Sequence, residues 1–152
     1  MAQLILMVGI PASGKSTIAK QILENNMMDG IPTVIISNDD VGKVLTGKQF
    51  CKSAGGFITA TVGLMVRYFL AQDYVVVVDN TCVTQGSRSQ WVKVAEDFSA
   101  SVTVQFMSTD LKTCLDRNAT RLDSVPAGVL IDMSKRLEPP ESSEGFKYII
   151  KC

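Results

Sequence analysis

Apolar positions along the chain alternate between short unbroken runs and longer stretches in which they recur every three or four residues. The run "LILMV" (4–8) reads as a buried strand, and from Ser16 the stretch "STIAKQILEN" places Ile18, Ile22 and Leu23 on one helical face. "TVIIS" (33–37), introduced by Gly30 and Pro32, is a second strand; "DDVGKVLTG" begins a short helix expected to end near Gly47. "GFITATVGLMVRYFLA" (56–71) is mostly apolar, yet shorter than a bilayer-spanning helix and interrupted by Arg67, so it is expected as a core helix. "YVVVVD" (74–79) is a third strand, whose β-branched run suits a central parallel strand buried on both faces. "TQGSRSQWVKVAEDF" is helical with Trp91, Val94 and Phe98 on one side, and "SVTVQFM" is a fourth strand. "DLKTCLDRNATR" is a helix with Asp110 as a plausible N-cap, and "VPAGVLIDMSKRL" follows with Pro126 suited to the first turn. "FKYIIKC" is a fifth strand, reached through the turn-rich "EPPESSEG" (138–145). Strand and helix alternate throughout, which predicts an α/β fold with a mostly parallel sheet of five strands.

Composition narrows this picture. At 152 residues and 46% hydrophobic, the chain is expected to form one domain, 1–152, with a real core. Formal net charge is zero, with no run of Lys or Arg, so the broad cationic face needed to slide on duplex DNA is not expected. The cysteines Cys51, Cys82, Cys114 and Cys152 form no CxxC pair, and no histidine is present to complete a zinc site. Reduced thiols and a cytoplasmic location are the expectation, without a signal peptide or a membrane span.

The chemistry starts at "GIPASGKST" (9–17), between the first strand and the first helix. Gly9-Ile10-Pro11-Ala12-Ser13-Gly14-Lys15-Ser16 fits GxxxxGK[ST] at every fixed position, and the strand–loop–helix setting is the one its mechanism needs. Gly9 and Gly14 let the backbone curl so that successive N–H groups converge on phosphate oxygens, and the following helix adds its positive end. Gly9, Pro11, Ala12, Ser13, Gly14, Lys15, Ser16 and Thr17 are the expected nucleotide-binding set, for ATP or another nucleoside triphosphate. Lys15 supplies charge to the β- and γ-phosphates, and the Ser16 hydroxyl ligates Mg²⁺. The fold class therefore sharpens to a P-loop NTPase-type three-layer sandwich.

Three further places bear on the acceptor. In "SNDD" (37–40), at the carboxyl edge of the second strand, Asp39 is placed to take the proton of an attacking hydroxyl, with Asp40 as an alternative helix cap. Asp79 ends the third strand, where an acid reaches Mg²⁺ or an acceptor-binding group. In "DRNATR" (116–121), Arg117 and Arg121 are four residues apart and are expected on one helical face, either as a lid over the phosphates or as a solvated face paired with Asp116 and Asp123. Lys43, one helical turn beyond Asp39, and Arg88, at the start of the helix after Asp79, are the cations expected to meet an acceptor phosphate.

Taken in order, "GIPASGKST", "ISNDD", "VVVVDNTCVTQGSRSQW", "DLKTCLDRNATR…VP" and "LEPPESSEGF" resemble the 5′-kinase domain of the polynucleotide kinase family, of both the phage type and the eukaryotic kinase-phosphatase. The resemblance implies transfer of the γ-phosphoryl of ATP to a 5′-hydroxyl of DNA or RNA, in end repair. It makes Asp39 the general base, Lys15 and Ser16 the phosphate and Mg²⁺ contacts, Asp79 the acceptor-side acid, and Arg121 with Arg117 the lid arginines. Where the phage type carries arginines that hold the acceptor's 3′-phosphate, this chain has Asn38 and Gly42, and Lys43 lacks a guanidinium's bidentate grip. No phosphatase domain is expected beside the kinase. The alternatives are a P-loop kinase acting on a nucleoside, nucleotide or other hydroxyl compound, and a nucleotide-binding switch without transferase activity.

Overall fold

The β-branched and aliphatic runs form a five-stranded sheet in the computed structural model, which describes residues 1–47 and 52–152. Cys51 therefore lies outside the described residues. The strands are β1 (Gln3–Val8), β2 (Thr33–Ile36), β3 (Val75–Val78), β4 (Ser101–Phe106) and β5 (Tyr148–Lys151). Their order across the sheet is β2-β3-β1-β4-β5, and every pairing is parallel, where a mostly parallel sheet was expected. The helices are α1 (Lys15–Met28), α2 (Asn38–Thr46), α3 (Gly55–Ala71), α4 (Gln85–Asp97), α5 (Leu111–Ala119) and α6 (Ala127–Arg136).

Side chains of a strand alternate between its faces, and that period of two builds the layers. Leu4, Leu6 and Val8 of β1 join Val76 and Val78 of β3 on one face, where Ile58, Val62, Val66 and Leu70 of α3 and Ala95 of α4 cover them. Ile5, Met7, Val75 and Val77 point to the other face and meet Ala19, Ile18 and Ile22 of α1. β3 is buried at all four positions, as its unbroken valine run requires. A smaller apolar cluster joins α5 and α6 to the loop after β1, through Ile10, Val83, Cys114 and Leu130. Each fully buried aliphatic side chain contributes about 1.5–3 kcal/mol.

Capping sets where the helices begin and stop. α2 starts at Ser37, whose hydroxyl accepts from the Asp40 N–H, and stops at Gly47 in the left-handed conformation. The cap is thus Ser37, and Asp40 is the residue capped. Pro126 stands at the N-cap of α6, one position before the expected first turn. α5 is capped by Asp110 and ends at Ala119, two residues short of Arg121. Buried Asn118 explains the early stop. Its amide donates to the Val125 carbonyl and its carbonyl accepts from the Val125 N–H, so the chain folds back instead of continuing the helix. Arg117 and Arg121 consequently do not share a helical face.

α3 departs most from expectation. With the 3₁₀ turn before it, Lys52–Ala71 is 20 residues long, enough by length and composition to cross a bilayer. One face of it packs on the sheet; Phe57, Leu64 and Tyr68, on the other, are exposed.

Candidate functional site

The carboxyl ends of the parallel strands gather the site, as in open α/β sheets generally. The loop after β1 curls back on itself: the Ser13 N–H donates to the Ile10 carbonyl at 3.3 Å and the Gly9 N–H to the Thr81 carbonyl at 3.0 Å. Ala12 has φ 63° and Gly14 φ 100°, so two left-handed residues turn the backbone within three positions before α1 begins. A Cβ added at Gly9 would lie 2.6 Å from the Ser13 hydroxyl and 2.9 Å from Met107 Cβ, so only glycine fits there. Pro11 and Ala12 are half-buried at the apex, and Ser16 and Thr17 are exposed in the first turn of α1.

Lys15 is buried, and its ammonium donates to the Ile10 carbonyl at 2.8 Å. Burial lowers its pKa to about 8, with the nearby Asp79 carboxylate opposing that shift. Ser13 Oγ is also buried and is, among the described residues, the buried side-chain polar atom with no hydrogen-bond partner. An unsatisfied hydroxyl, a buried cation and a glycine-lined curl on one loop form a cradle that fits an anionic phosphate chain.

β3 delivers Asp79 to the same place. The Ser16 hydroxyl donates to Asp79 Oδ2 at 2.7 Å. Burial raises the carboxyl's pKa, while the Ser16 hydrogen bond and the Lys15 charge act the other way. The two oxygen donors suit a hard divalent cation that takes its remaining ligands from phosphates and water. Among the described residues no three His, Cys, Asp or Glu side chains cluster to hold a metal by themselves. Of the two roles open to Asp79, the geometry brings it to the Ser16 hydroxyl.

The next residue, Asn80, was not singled out from the sequence. Its side-chain carbonyl accepts from the Asn38 N–H at 3.0 Å, and its amide donates to Asn38 Oδ1 at 3.2 Å. This pair ties the strand end that carries Asp79 to the first turn of α2, where Asp39 and Asp40 are exposed. Its signal was adjacency: an amide directly after Asp79, in a loop facing another strand end.

The lid residues split. The loop leading into α5 docks on the phosphate loop through Thr109, whose hydroxyl donates to the Ser13 carbonyl at 2.9 Å. Arg117 Nη1 lies 3.5 Å from the Ala12 carbonyl, the outer limit of a hydrogen bond. Arg121, beyond the helix, pairs instead with Asp123 at 3.3 Å, and Asp123 also meets Lys43 of α2 at 3.7 Å. One carboxylate therefore holds both the outer lid arginine and the acceptor-side lysine. Burial alone would raise the Asp123 pKa, but Arg121 and Lys43 outweigh it and hold the carboxyl below its ordinary value. All three side chains are at least two-fifths exposed, so each bridge is weak.

Arg88 does not stand where an acceptor phosphate could meet it. It is fully buried, with Nε and Nη2 each donating to a Glu144 carboxylate oxygen at 2.8 Å. Its Nη1 donates to the Cys82 and Val83 carbonyls at 3.0 and 3.2 Å. It fastens the loop after Asp79, including Cys82 at φ 44°, to the 3₁₀ turn of "EPPESSEG". The helix starts where expected; its arginine turns inward because Glu144, 56 residues away, receives it. The Cys82 thiol beside it is pushed up to about 12 by burial and is unreactive. Among the described residues, Cys82, Cys114 and Cys152 are free thiols.

Comparison with known proteins agrees with this architecture. The chain is 23% identical over 145 residues to the L-seryl-tRNA(Sec) kinase of Methanococcus maripaludis, covering 95% of this chain and 54% of the relative. It thus spans about half the length of that curated relative. Its fold superposes on Kti12 of Chaetomium thermophilum, solved with ADP-AlF3, with a TM-score of 0.78 and 18% identity over 98% of this chain and 88% of that one. It superposes equally well on a chain of the Pnkp1/Rnl/Hen1 RNA repair complex, with a TM-score of 0.78 and 20% identity over 90% of this chain and 44% of the other. The pattern of the AAA_33 family, an AAA domain, matches residues 4–140, and with its nucleotide cradle built as that P-loop architecture requires, the chain belongs to this family.

Proposed function

We propose that the protein is an ATP-dependent kinase that transfers the γ-phosphoryl group to the 5′-hydroxyl end of RNA or DNA. The observation that carries this reading is the exposure of Asp39 on the first turn of α2, which Asn38 and Asn80 tie to the strand end that bears Asp79. A hydroxyl at the end of a large molecule reaches such a carboxylate from solvent, without entering a closed cavity. The names of two similar proteins support an acceptor that contains RNA, one an L-seryl-tRNA(Sec) kinase and the other part of an RNA repair complex, and neither name specifies a 5′-hydroxyl.

In this reading Lys15, the Ser13 hydroxyl and the loop N–H groups hold the β- and γ-phosphates, and Lys15 regains its full charge against them. Ser16 and Asp79 would hold Mg²⁺, which would supply charge neutralisation for the phosphate chain. Arg117 swings from the Ala12 carbonyl to the transferring group, where its guanidinium offsets developing negative charge. Asp39 accepts the proton of the attacking 5′-hydroxyl. Lys43 leaves Asp123 for the phosphodiester next to that hydroxyl.

A second reading, a kinase of a small hydroxyl compound, is favoured by the scarcity of acceptor-side cations among the described residues, since Arg88 is internal and Lys43 shares Asp123. The two part on product analysis. With ATP and Mg²⁺, a 5′-hydroxyl oligonucleotide should gain the mass of one phosphate at its 5′ end, and its 5′-phosphorylated twin should gain none. Phosphorylation of a free nucleoside or sugar with no mass gain on the oligonucleotide would replace the first reading by the second.

A further inference from the structure

α3 is apolar on both sides, yet only one side is covered. Its inner face, Ile58, Val62, Val66 and Leu70, lies in the core. Phe57, Leu64 and Tyr68 on the opposite face are 65%, 70% and 62% exposed, and only 22% of the most apolar window of this segment is buried. A helix hydrophobic all round is normally buried all round. The exposed positions Phe57, Ala60, Leu64, Tyr68 and Ala71 recur every three or four residues and form one stripe along the whole helix. Arg67, the one charged residue of α3, sits at the stripe's flank and is already paired with Asp97 at 2.8 Å.

We propose that a second copy of this chain covers the stripe, with the two α3 helices packed antiparallel about a twofold axis through Leu64. The sequence of the stripe is complementary to itself in that arrangement. Leu64 meets the second copy's Leu64 on the axis, each Phe57 falls opposite an Ala71, and each Tyr68 falls opposite an Ala60, so away from the axis each aromatic side chain faces a small one. A twofold interface requires such self-complementarity, because one surface supplies both halves. The stripe is also a ridge between two grooves, one of about 360 Å³ against α4 and one of about 300 Å³ against α2, a surface into which a second ridge interdigitates. Val44 and Leu45 of α2 extend the exposed apolar area beside it. Together these side chains leave roughly 500–600 Å² of apolar surface per copy, at the upper end of what monomers expose. Two copies would bury about 1,100 Å², which clears the ~1,000 Å² that a specific interface needs. Zero net charge sets up no long-range repulsion between the copies.

Sedimentation velocity on the full chain tests this. A reversible dimer is expected at about 100 µM, where a micromolar interface is saturated. Leu64→Glu sets two carboxylates against each other on the axis and should weaken dimerisation at least tenfold. Its thermal midpoint and nucleotide affinity should be unchanged, since Leu64 touches neither the core nor the phosphate loop. Tyr68→Lys serves as a second variant. With Cys51→Ser and Cys152→Ser in place, Leu64→Cys should couple to itself through a short bis-maleimide, and Phe57→Cys should couple to Ala71→Cys in a mixture but not to itself. A wild-type chain that stays monomeric at that concentration would overturn the proposal, as would a dimer indifferent to Leu64→Glu and Tyr68→Lys. Self-coupling of Phe57→Cys would overturn the antiparallel pairing. A monomer that sediments with phospholipid vesicles through Leu64 would assign the stripe to a lipid surface instead.

Discussion

Replacing Arg88 separates its two possible roles, because they predict opposite outcomes. An acceptor-binding arginine would raise the KM for an oligonucleotide and leave stability alone. The structure instead puts a guanidinium with no exposed surface against a Glu144 side chain only 5% exposed, in a two-pronged ion pair, with two loop carbonyls on its remaining nitrogen. Arg88→Met keeps much of the volume but strands the Glu144 carboxylate and both carbonyls. Removing one partner of such a buried pair costs about 3–5 kcal/mol, a large share of the ~5–15 kcal/mol that holds a typical domain together. Urea unfolding followed by circular dichroism should show that loss as a lower midpoint at unchanged slope. Arg88→Met with Glu144→Leu removes both charges and should be clearly less unstable than the sum of the single changes, with a coupling of about 1–3 kcal/mol. Arg88→Lys should recover little, since an ammonium cannot span both carboxylate oxygens and both carbonyls. If Arg88→Met unfolds at the wild-type midpoint while only the oligonucleotide KM rises, the internal role is wrong and the arginine reaches the acceptor.

Lys15, with a pKa near 8 in the free protein, should take up a proton when a polyphosphate binds and raises that pKa. The Kd for ATP should therefore rise by up to about tenfold per pH unit above 8 and level off below it; calorimetric titration at about pH 9 in buffers of different ionisation heat would detect the proton. Asp39→Asn should lower kcat by about 10²–10⁴-fold with ATP affinity intact; if steady-state assays find Asp40→Asn the crippling change and Asp39→Asn mild, the two acids were assigned the wrong way round. For the lid, Arg117→Ala should depress kcat in steady-state assays more than Arg121→Ala, because Arg117 lies against the phosphate loop while Arg121 pairs with Asp123. Asp123→Asn should tighten oligonucleotide binding up to about fivefold by freeing Lys43 and Arg121, a change that titration at low salt would resolve.

The fold was legible because its signals are local. An unbroken valine run can be satisfied only between two packed faces, and GxxxxGKS between a strand and a helix leaves little choice of loop. Gly47 and Asp110 ended and began their helices at the expected positions because a cap is a matter of a few neighbouring residues. The misplacements came from pairings that no residue pattern announces. Arg88 reads as surface charge until Glu144 is brought to it, and Arg121 reads as an i+4 neighbour of Arg117 until Asn118 binds Val125 and ends the helix. Asn80 and Thr109 carry no motif and acquire their places only when strand ends and the phosphate loop meet, whereas Asp123 was expected as a partner of the arginines and does pair with Arg121. α3 was expected in the core on its apolar content, which does not reveal that the sheet covers one side alone.

Phosphoryl transfer itself tests the central claim most directly. The measurement is kcat/KM with γ-labelled ATP for a short 5′-hydroxyl RNA, the DNA of the same sequence and the corresponding free nucleoside, each with the wild-type protein and with Asp39→Asn. The account predicts label on the 5′ ends of the oligonucleotides, at least tenfold preference for them over the nucleoside, and loss of that transfer in Asp39→Asn. Equal use of the nucleoside would make this a small-molecule kinase, and slow ATP hydrolysis with no labelled acceptor would make it a nucleotide switch; either result contradicts the account.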